Sequence, residues 1–282
     1  MSAPVPGQLT TLKPNLYRLC ANNPSAMTGP GTNTYLYGKS ELAVFDAGPL
    51  LQSHIDNILA AQDTLNAPIT QIFSSHTHSD HSPAVARLVQ TLPEATVIGL
   101  PAPKGQDYED LTFSPNVKPQ DEQRFEHDGQ SVQAIHTPGH VENHMCFLIE
   151  EHQFLTTGDH LMSGSTVVII PPKGSMRDYI ASLQKLERYS INSMGPGHGE
   201  VIENPSELIK WTIKHRLERE AKVVAGLKRQ QPATVEQLVP VVYQDVPEHL
   251  HPIAAMSLHA HLIKLELDGR ASHADSQWQL IP

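Results

Sequence analysis

Two short apolar runs, Thr-Tyr-Leu-Tyr at 34–37 and Leu-Ala-Val-Phe at 42–45, flank the polar segment 38–41. This pattern predicts a hairpin of two buried strands closed by a short turn. The period then changes. Ile55, Ile58, Leu59 and Leu65 recur at helical spacing over 53–65, and 69–75 returns to the β-branched and aromatic texture of a strand. Ser82 and Pro83 offer an N-cap and a first-turn proline to a helix carrying Ala84, Val85, Leu88, Val89 and Leu92 on one face. Further strands are predicted at 131–136, 145–150, 153–157 and 191–194, and a helix at 176–189. Strands and helices mixed in this way specify an α/β domain.

After Pro205 the texture becomes helical. Helices are predicted over 206–230, 234–239 and 247–267, followed by a turn at Asp268-Gly269 and a β-like tail at 278–281. The expected organisation is therefore a domain at 1–205 and a small helical, winged-helix-like domain at 206–282. The proline-rich stretch 101–119 has little periodicity and reads as an irregular surface connection.

Composition narrows the function classes. Twenty basic and thirty acidic residues leave a formal charge of −10, which disfavours nonspecific attraction to nucleic acid or anionic lipid. No uncharged stretch is both long and continuously apolar, so no membrane span is expected. The first residues show neither a basic nor an apolar leader segment, and a cytoplasmic location is expected. Cys20 and Cys146 are the two cysteines, too few for a disulfide framework or a thiolate metal site. Histidine is abundant, with 17 residues, and its placement carries the chemistry.

The segment His76-Thr77-His78-Ser79-Asp80-His81 puts four donors within six residues, between a predicted strand and a predicted helix. Three later strands each run into a polar loop: Thr137-Pro138-Gly139-His140, Gly158-Asp159-His160 and Gly195-Pro196-Gly197-His198. Strand ends of an α/β domain converge on one sheet edge, where such loops meet. A tetrahedral site uses about four donors and a hydrolytic one leaves a position for water, so seven candidates suit two metals better than one.

HTHSDH resembles the HxHxDH signature of the metallo-beta-lactamase superfamily, and TPGH, GDH and GPGH resemble its later motifs in the same chain order. The resemblance implies an αββα sandwich with the metals at the sheet edge. It assigns His76, His78 and His140 to a first metal, Asp80, His81 and His198 to a second, and Asp159 to a bridge between them. Asp46, in Phe45-Asp46-Ala47-Gly48, resembles the carboxylate that supports the ligands from behind. Asn23-Pro24, Met27-Thr28, the 31–36 segment, 164–167 and the helical tail are similar to the beta-lactamase-like-protein-2 group within the superfamily.

What this resemblance implies is hydrolysis by a hydroxide bridging two zinc ions, with iron or manganese left open as the metal and Asp80 as both ligand and proton acceptor. The group points to single-stranded RNA as substrate, and the wider superfamily to a small thioester or lactone of the hydroxyacylglutathione-hydrolase type. A mononuclear iron persulfide dioxygenase and a non-catalytic nucleic-acid-binding regulator are the minor alternatives. A homo-oligomer is compatible with the sequence. His144 and His160 lie beside the motifs without a ligand assignment, and His249, His251, His259 and His261 are scattered enough to be packing residues. Lys210, Lys214, Arg216, Arg219, Lys222, Lys228 and Arg229 make the long helix basic, either as a solvated face or as an RNA-backbone contact.

Overall fold

The computed structural model describes residues 3–103 and 109–282. The chain forms two compact units, each assembled from three segments. The first comprises Met1–Thr137, Asn143–Ser165 and Ser190–Pro205, and the second Pro138–Glu142, Thr166–Tyr189 and Ser206–Pro282. Compactness thus groups two earlier pieces of chain with the residues beyond 205.

In the first unit a six-stranded sheet runs β1 (Thr10–Lys13), β2 (Leu16–Cys20), β3 (Asn33–Tyr37), β4 (Leu42–Phe45), β5 (Ile69–Phe73) and β6 (Thr96–Ile98) in spatial order. The first four strands pair antiparallel, and β5 and β6 continue parallel to β4. Parallel neighbours need a crossover. Helices α1 (Gln52–Leu65) and α2 (Val85–Thr91) supply the two crossovers. The second sheet orders β11 (Ser193–Pro196), β10 (Phe154–Gly158), β9 (Met145–Ile149), β8 (Gln130–His136) and β7 (Arg124–His127), with β10 and β11 parallel.

Alternation along the strands separates two cores. Leu36, Leu42, Val44 and Ile72 join Ile55, Ile58, Val85 and Leu88 from the two helices. Tyr35, Tyr37, Phe45 and Phe73 point to the other face, where Val132, Ala134, Phe147 and Phe154 of the second sheet meet them. Phe45 and Phe73 stack at 4.8 Å, and Phe147 meets Phe73 edge-on at 5.1 Å. Sheets buried on both faces explain why these strands read as apolar runs.

The predicted strands at 34–37, 42–45, 69–75, 131–136, 145–150, 153–157 and 191–194 are present to within a few residues. Four strands of the first unit escaped the pattern. β1 and β7 are polar edge strands, and β2 buries Arg18 where an apolar residue is expected. β6 is only three residues long. The N-cap expected of Ser82 is corrected: α2 begins at Val85 with no side-chain cap, because the Ser82 hydroxyl donates to the Asp110 carboxylate at 2.8 Å instead. Within 101–119 the described residues form no helix or named strand, and 104–108 lie outside the described residues.

In the second unit are α3 (Met176–Leu186), α4 (Pro205–Arg229), α5 (Val235–Val242), α6 (His251–Leu267) and the hairpin β12 (Ala271–Ala274)–β13 (Gln277–Leu280). Thr234 and Gln237 form a reciprocal capping box that starts α5. Val223, Leu227, Leu238, Leu258, Leu262, Leu265 and Trp278 form the shared core of α4, α5, α6 and the hairpin. Three helices and a two-stranded wing match the expected winged-helix arrangement. Among the described residues no helix is long and apolar enough to cross a membrane.

Candidate metal centre

The HTHSDH segment leaves β5 and reaches α2 through a turn, with His81 N bonded to the His78 carbonyl at 3.0 Å. That turn brings four donors to one end of the sheet. Imidazole Nε2 of His76 and Nδ1 of His78 face each other at 3.0 Å. His76 Nδ1 is engaged by Ser75 Oγ at 2.9 Å, and His78 Nε2 lies 3.5 Å from Glu109 Oε1. Each ring is thus held by one nitrogen while the other turns to the shared point.

Asp46 fixes the geometry from beneath. It occupies the left-handed region at φ 54°, a conformation an aspartate tolerates better than most residues. Its carboxylate accepts from Ser75 N at 2.6 Å, Ser75 Oγ at 2.7 Å and His81 Nδ1 at 2.9 Å. His81 Nε2 is consequently directed at Asp80 and Asp159, 3.6 and 3.4 Å away. His198 Nδ1 donates to the Gly31 carbonyl at 3.3 Å, leaving Nε2 at 3.3 Å from both Asp80 Oδ2 and Asp159 Oδ1.

Donor atoms of His76, His78 and Asp159 lie within 4.8 Å of one another, and so do those of Asp80, His81 and His198. Six of the seven expected residues therefore come together inside the first unit. The seventh, His140, belongs to the second unit's short segment 138–142, where its Nδ1 donates to the Val168 carbonyl at 3.0 Å. That bond places a ring proton on Nδ1.

Three observations fit metal ions at these groups. His81 Nε2 is buried and makes no hydrogen bond, although two carboxylates stand before it. A Cβ on Gly197 would lie 2.6 Å from His81 Cε1 and 2.7 Å from Asp159 Oδ1, so only glycine lets this loop pass the donors. The donors are imidazole and carboxylate, the set suited to zinc and other borderline divalent cations. The clusters are able to bind metal ions.

The electrostatics follow from the same crowding. Burial disfavours imidazolium at His81, but Asp80, Asp159 and Asp46 outweigh it and hold the ring well above the usual histidine range. Burial likewise works against His198, yet Asp159 and Asp80 raise it to about 9. His76 moves the opposite way, driven down by burial and by the adjacent His81 and His78. Burial tends to raise Asp80, but His81 and His198 carry its carboxyl well below the ordinary range.

Several positioning residues lay outside the sequence prediction. Glu109 is buried, accepts from Thr77 Oγ1 at 2.5 Å and faces His78. It comes from the proline-rich loop, where nothing in the spacing singles it out. Asn33 Nδ2 donates to the Pro196 and Gly199 carbonyls at 3.0 and 2.9 Å, tying β3 to the loop that carries His198. Asn23 holds Thr32 through two 2.9 Å bonds, and Thr32 Oγ1 donates to Asp80 Oδ2 at 3.0 Å. The only available signal was the 23–36 segment noted for its resemblance. His144, left unassigned by the sequence, accepts from Asp159 N at 3.2 Å through Nε2. His160 is buried beside it, with ring centroids 5.8 Å apart. Among the described residues His249, His251, His259 and His261 enter no donor group.

The sequence profile described as the metallo-beta-lactamase superfamily matches residues 27–198, which contain the whole candidate donor set. The chain belongs to the metallo-beta-lactamase superfamily. A second profile, the beta-lactamase associated winged helix domain, matches residues 234–278. This superfamily member is 31% identical over 277 residues to a Drosophila melanogaster protein named beta-lactamase-like protein 2 homolog, covering 93% of this chain and 91% of the relative. It is also 30% identical over 230 residues to an Aspergillus fumigatus protein named atrochrysone carboxyl ACP thioesterase, covering 78% and 67% respectively. The fold matches a beta-lactamase domain protein from Burkholderia ambifaria with a TM-score of 0.82 at 17% identity, covering 99% of this chain and 95% of that one. A metallo-beta-lactamase family protein from Thermus thermophilus gives 0.77 at 19% identity, covering 96% and 100%. The superfamily member is a metal-dependent hydrolase by family and by donor chemistry.

Proposed function

We propose that the protein hydrolyses a small acyl thioester at a centre of two zinc ions. The first ion would be held by His76, His78 and His140, the second by Asp80, His81 and His198, with Asp159 shared. The observation that carries the reading is the pair of donor groups, each turned inward by hydrogen bonds on its outer atoms. Two adjacent divalent cations supply water of lowered pKa and polarise the oxygen under attack.

The chain's own residues do the rest. Asp46 holds the proton of His81 on Nδ1, which keeps Nε2 a donor to metal. Asp80, held by Thr32, would take a proton during attack and return it to the leaving group. Glu109 steadies His78 through its outer nitrogen. No serine or cysteine nucleophile is needed, and both cysteines are buried.

The thioester reading draws support from relatives named ACP thioesterases and from the net charge of −10, which does not attract a polyanion. Single-stranded RNA is the second reading, supported by exposed Lys210, Lys228 and Arg229 on α4. The other basic residues of that helix present less free charge to solvent. Arg216 and Arg219 are buried, and Lys214 and Lys222 pair with Glu218 and Asp245.

Zinc-loaded protein assayed against acyl-coenzyme A and acyl-glutathione thioesters, and in parallel against labelled single-stranded RNA, tests the substrate. Turnover of a thioester that disappears on chelation supports the first reading. Metal-dependent cleavage of RNA alone, weakening steeply with added salt, replaces it with the second. A homo-oligomer and a cytoplasmic location remain part of this proposal, checked by light scattering and by fractionation.

A further inference from the structure

The second unit contains a pocket of about 260 Å³, formed by the 166–168 segment, α4, the end of α5 and the start of α6. Its size is near the lower end of the ~300–1,000 Å³ range of small-molecule sites. Two cations line it, Arg216 and Arg219, and no carboxylate does. In a chain with ten more acidic than basic residues, this is a local inversion of charge.

The two arginines differ in what satisfies them. Arg219 donates to both Asp245 oxygens at 2.8 and 3.2 Å and to the Val242 carbonyl at 2.9 Å. Its charge is neutralised where it stands. Arg216 is only 4% exposed, donates to the Val167 carbonyl and lies 3.5 Å from Ser257 Oγ. No carboxylate lies within 4 Å of it among the described residues, and its Nε makes no hydrogen bond. Its guanidinium also lies 5.3 Å from the centre of the Tyr179 ring. A buried, uncompensated guanidinium is costly unless an anion reaches it.

Tyr243 Oη and His215 Nδ1 line the same pocket and are likewise buried without a hydrogen-bond partner. Three polar atoms of one small pocket are therefore left unsatisfied by the protein. The opposite part of the lining is apolar. Val246, Leu250 and Ile253 line it, and Leu250 and Ile253 are 39% and 43% exposed, which leaves an apolar rim open to solvent.

We propose that this pocket binds a small amphipathic anion, its carboxylate or phosphate head against Arg216 and Tyr243 and its short aliphatic tail along Val246, Leu250 and Ile253. Guanidinium recognises either head bidentately, while the apolar rim rejects a compact inorganic ion. None of the residues assigned to metal lines this pocket, although Val168 of its wall accepts from His140 Nδ1.

Isothermal titration calorimetry of the full-length protein with octanoate, octyl phosphate and uncharged octan-1-ol tests this. At least one anion is expected to bind about tenfold or more tightly than octanol, and the preferred anion identifies the head group. Arg216→Gln is expected to weaken that anion about tenfold or more while circular dichroism remains native. If Arg216→Gln does not fold, Ile253→Glu on the exposed rim carries the test, since its carboxylate would repel the ligand by a similar factor. Absence of binding at millimolar anion, equal affinity for octanol, or unchanged affinity in the folded variants would overturn the proposal.

Discussion

Around His81 the first unit gathers imidazoles and carboxylates that bond outward and leave inner atoms turned to one point. Around Glu220 the second unit does the reverse. There a buried carboxylate is closed off by Lys264 at 2.7 Å and Arg270 at 2.5 Å, with Asp268 2.7 Å from the same lysine. The second cluster is neutral within itself and holds α4, α6 and the hairpin together. The first leaves donor atoms turned toward one another, an arrangement able to bind metal ions. Buried titratable residues are thus no guide to chemistry by their number; what matters is whether their bonds close on each other or open on a shared space.

The largest expected effect comes from emptying the first cluster. His76→Ala combined with His78→Ala should lower bound zinc, measured by plasma mass spectrometry, and take hydrolysis to the buffer background in a chain that still folds. Full turnover by that protein would show that these residues are not the metal centre. Gly197→Ala tests the same point sterically, because its Cβ would intrude between His81 and Asp159. Metal content should fall nearly as far.

Asp46→Asn comes next. The amide keeps the shape but cannot hold the His81 proton as a carboxylate does, and loss of such a supporting bond typically weakens metal binding ~10–100-fold. Competition with a chromogenic chelator reads this directly. Unchanged affinity would mean that Ser75 and the backbone suffice to orient His81.

In the second unit, pH sharpens the contrast. His261 is fully buried, and burial together with Arg216, Lys264, Arg219 and His215 pushes its pKa down to about 3. The unfolded chain titrates near the ordinary value of about 6.5, so below that pH it takes up a proton that the fold does not. Stability from this group is complete above about 6.5 and declines as pH falls toward 3, by at most ~1.4 kcal/mol per pH unit. Urea titrations between these limits should show a shallower slope for His261→Leu than for the natural protein. His54, lowered to about 4 by burial, adds the same sign in the first unit.

The smallest effect is expected at Lys214 and Glu218, an exposed i, i+4 pair at 3.8 Å on α4. Lys214→Ala should change stability by no more than ~0.5 kcal/mol in thermal unfolding. A larger loss would give this helix face a role beyond solvation.

Apolar periodicity and local motif were enough to read the two-sided strands, the helices of the tail and the seven candidate donors, because these signals are written within a few residues of one another. Thr34 to Phe45 announces a buried hairpin, and four donors in six residues announce a metal turn. Edge strands such as β1 and β7 stayed hidden because half their surface faces water and their polarity resembles a loop. Ser82 carried a cap's local signature, yet Asp110, 28 residues later, took its hydroxyl.

The sequence by itself therefore determined the superfamily, the strand-and-loop grammar and the candidate donor set. Only the tertiary structure decided that Glu109 faces His78, that Asn23 and Thr32 hold Asp80, and that Arg216 is buried without an acid. Pattern along a chain encodes which face of an element meets water, a local property. Which polar groups are satisfied depends on partners brought in from distant residues, and that is settled by packing.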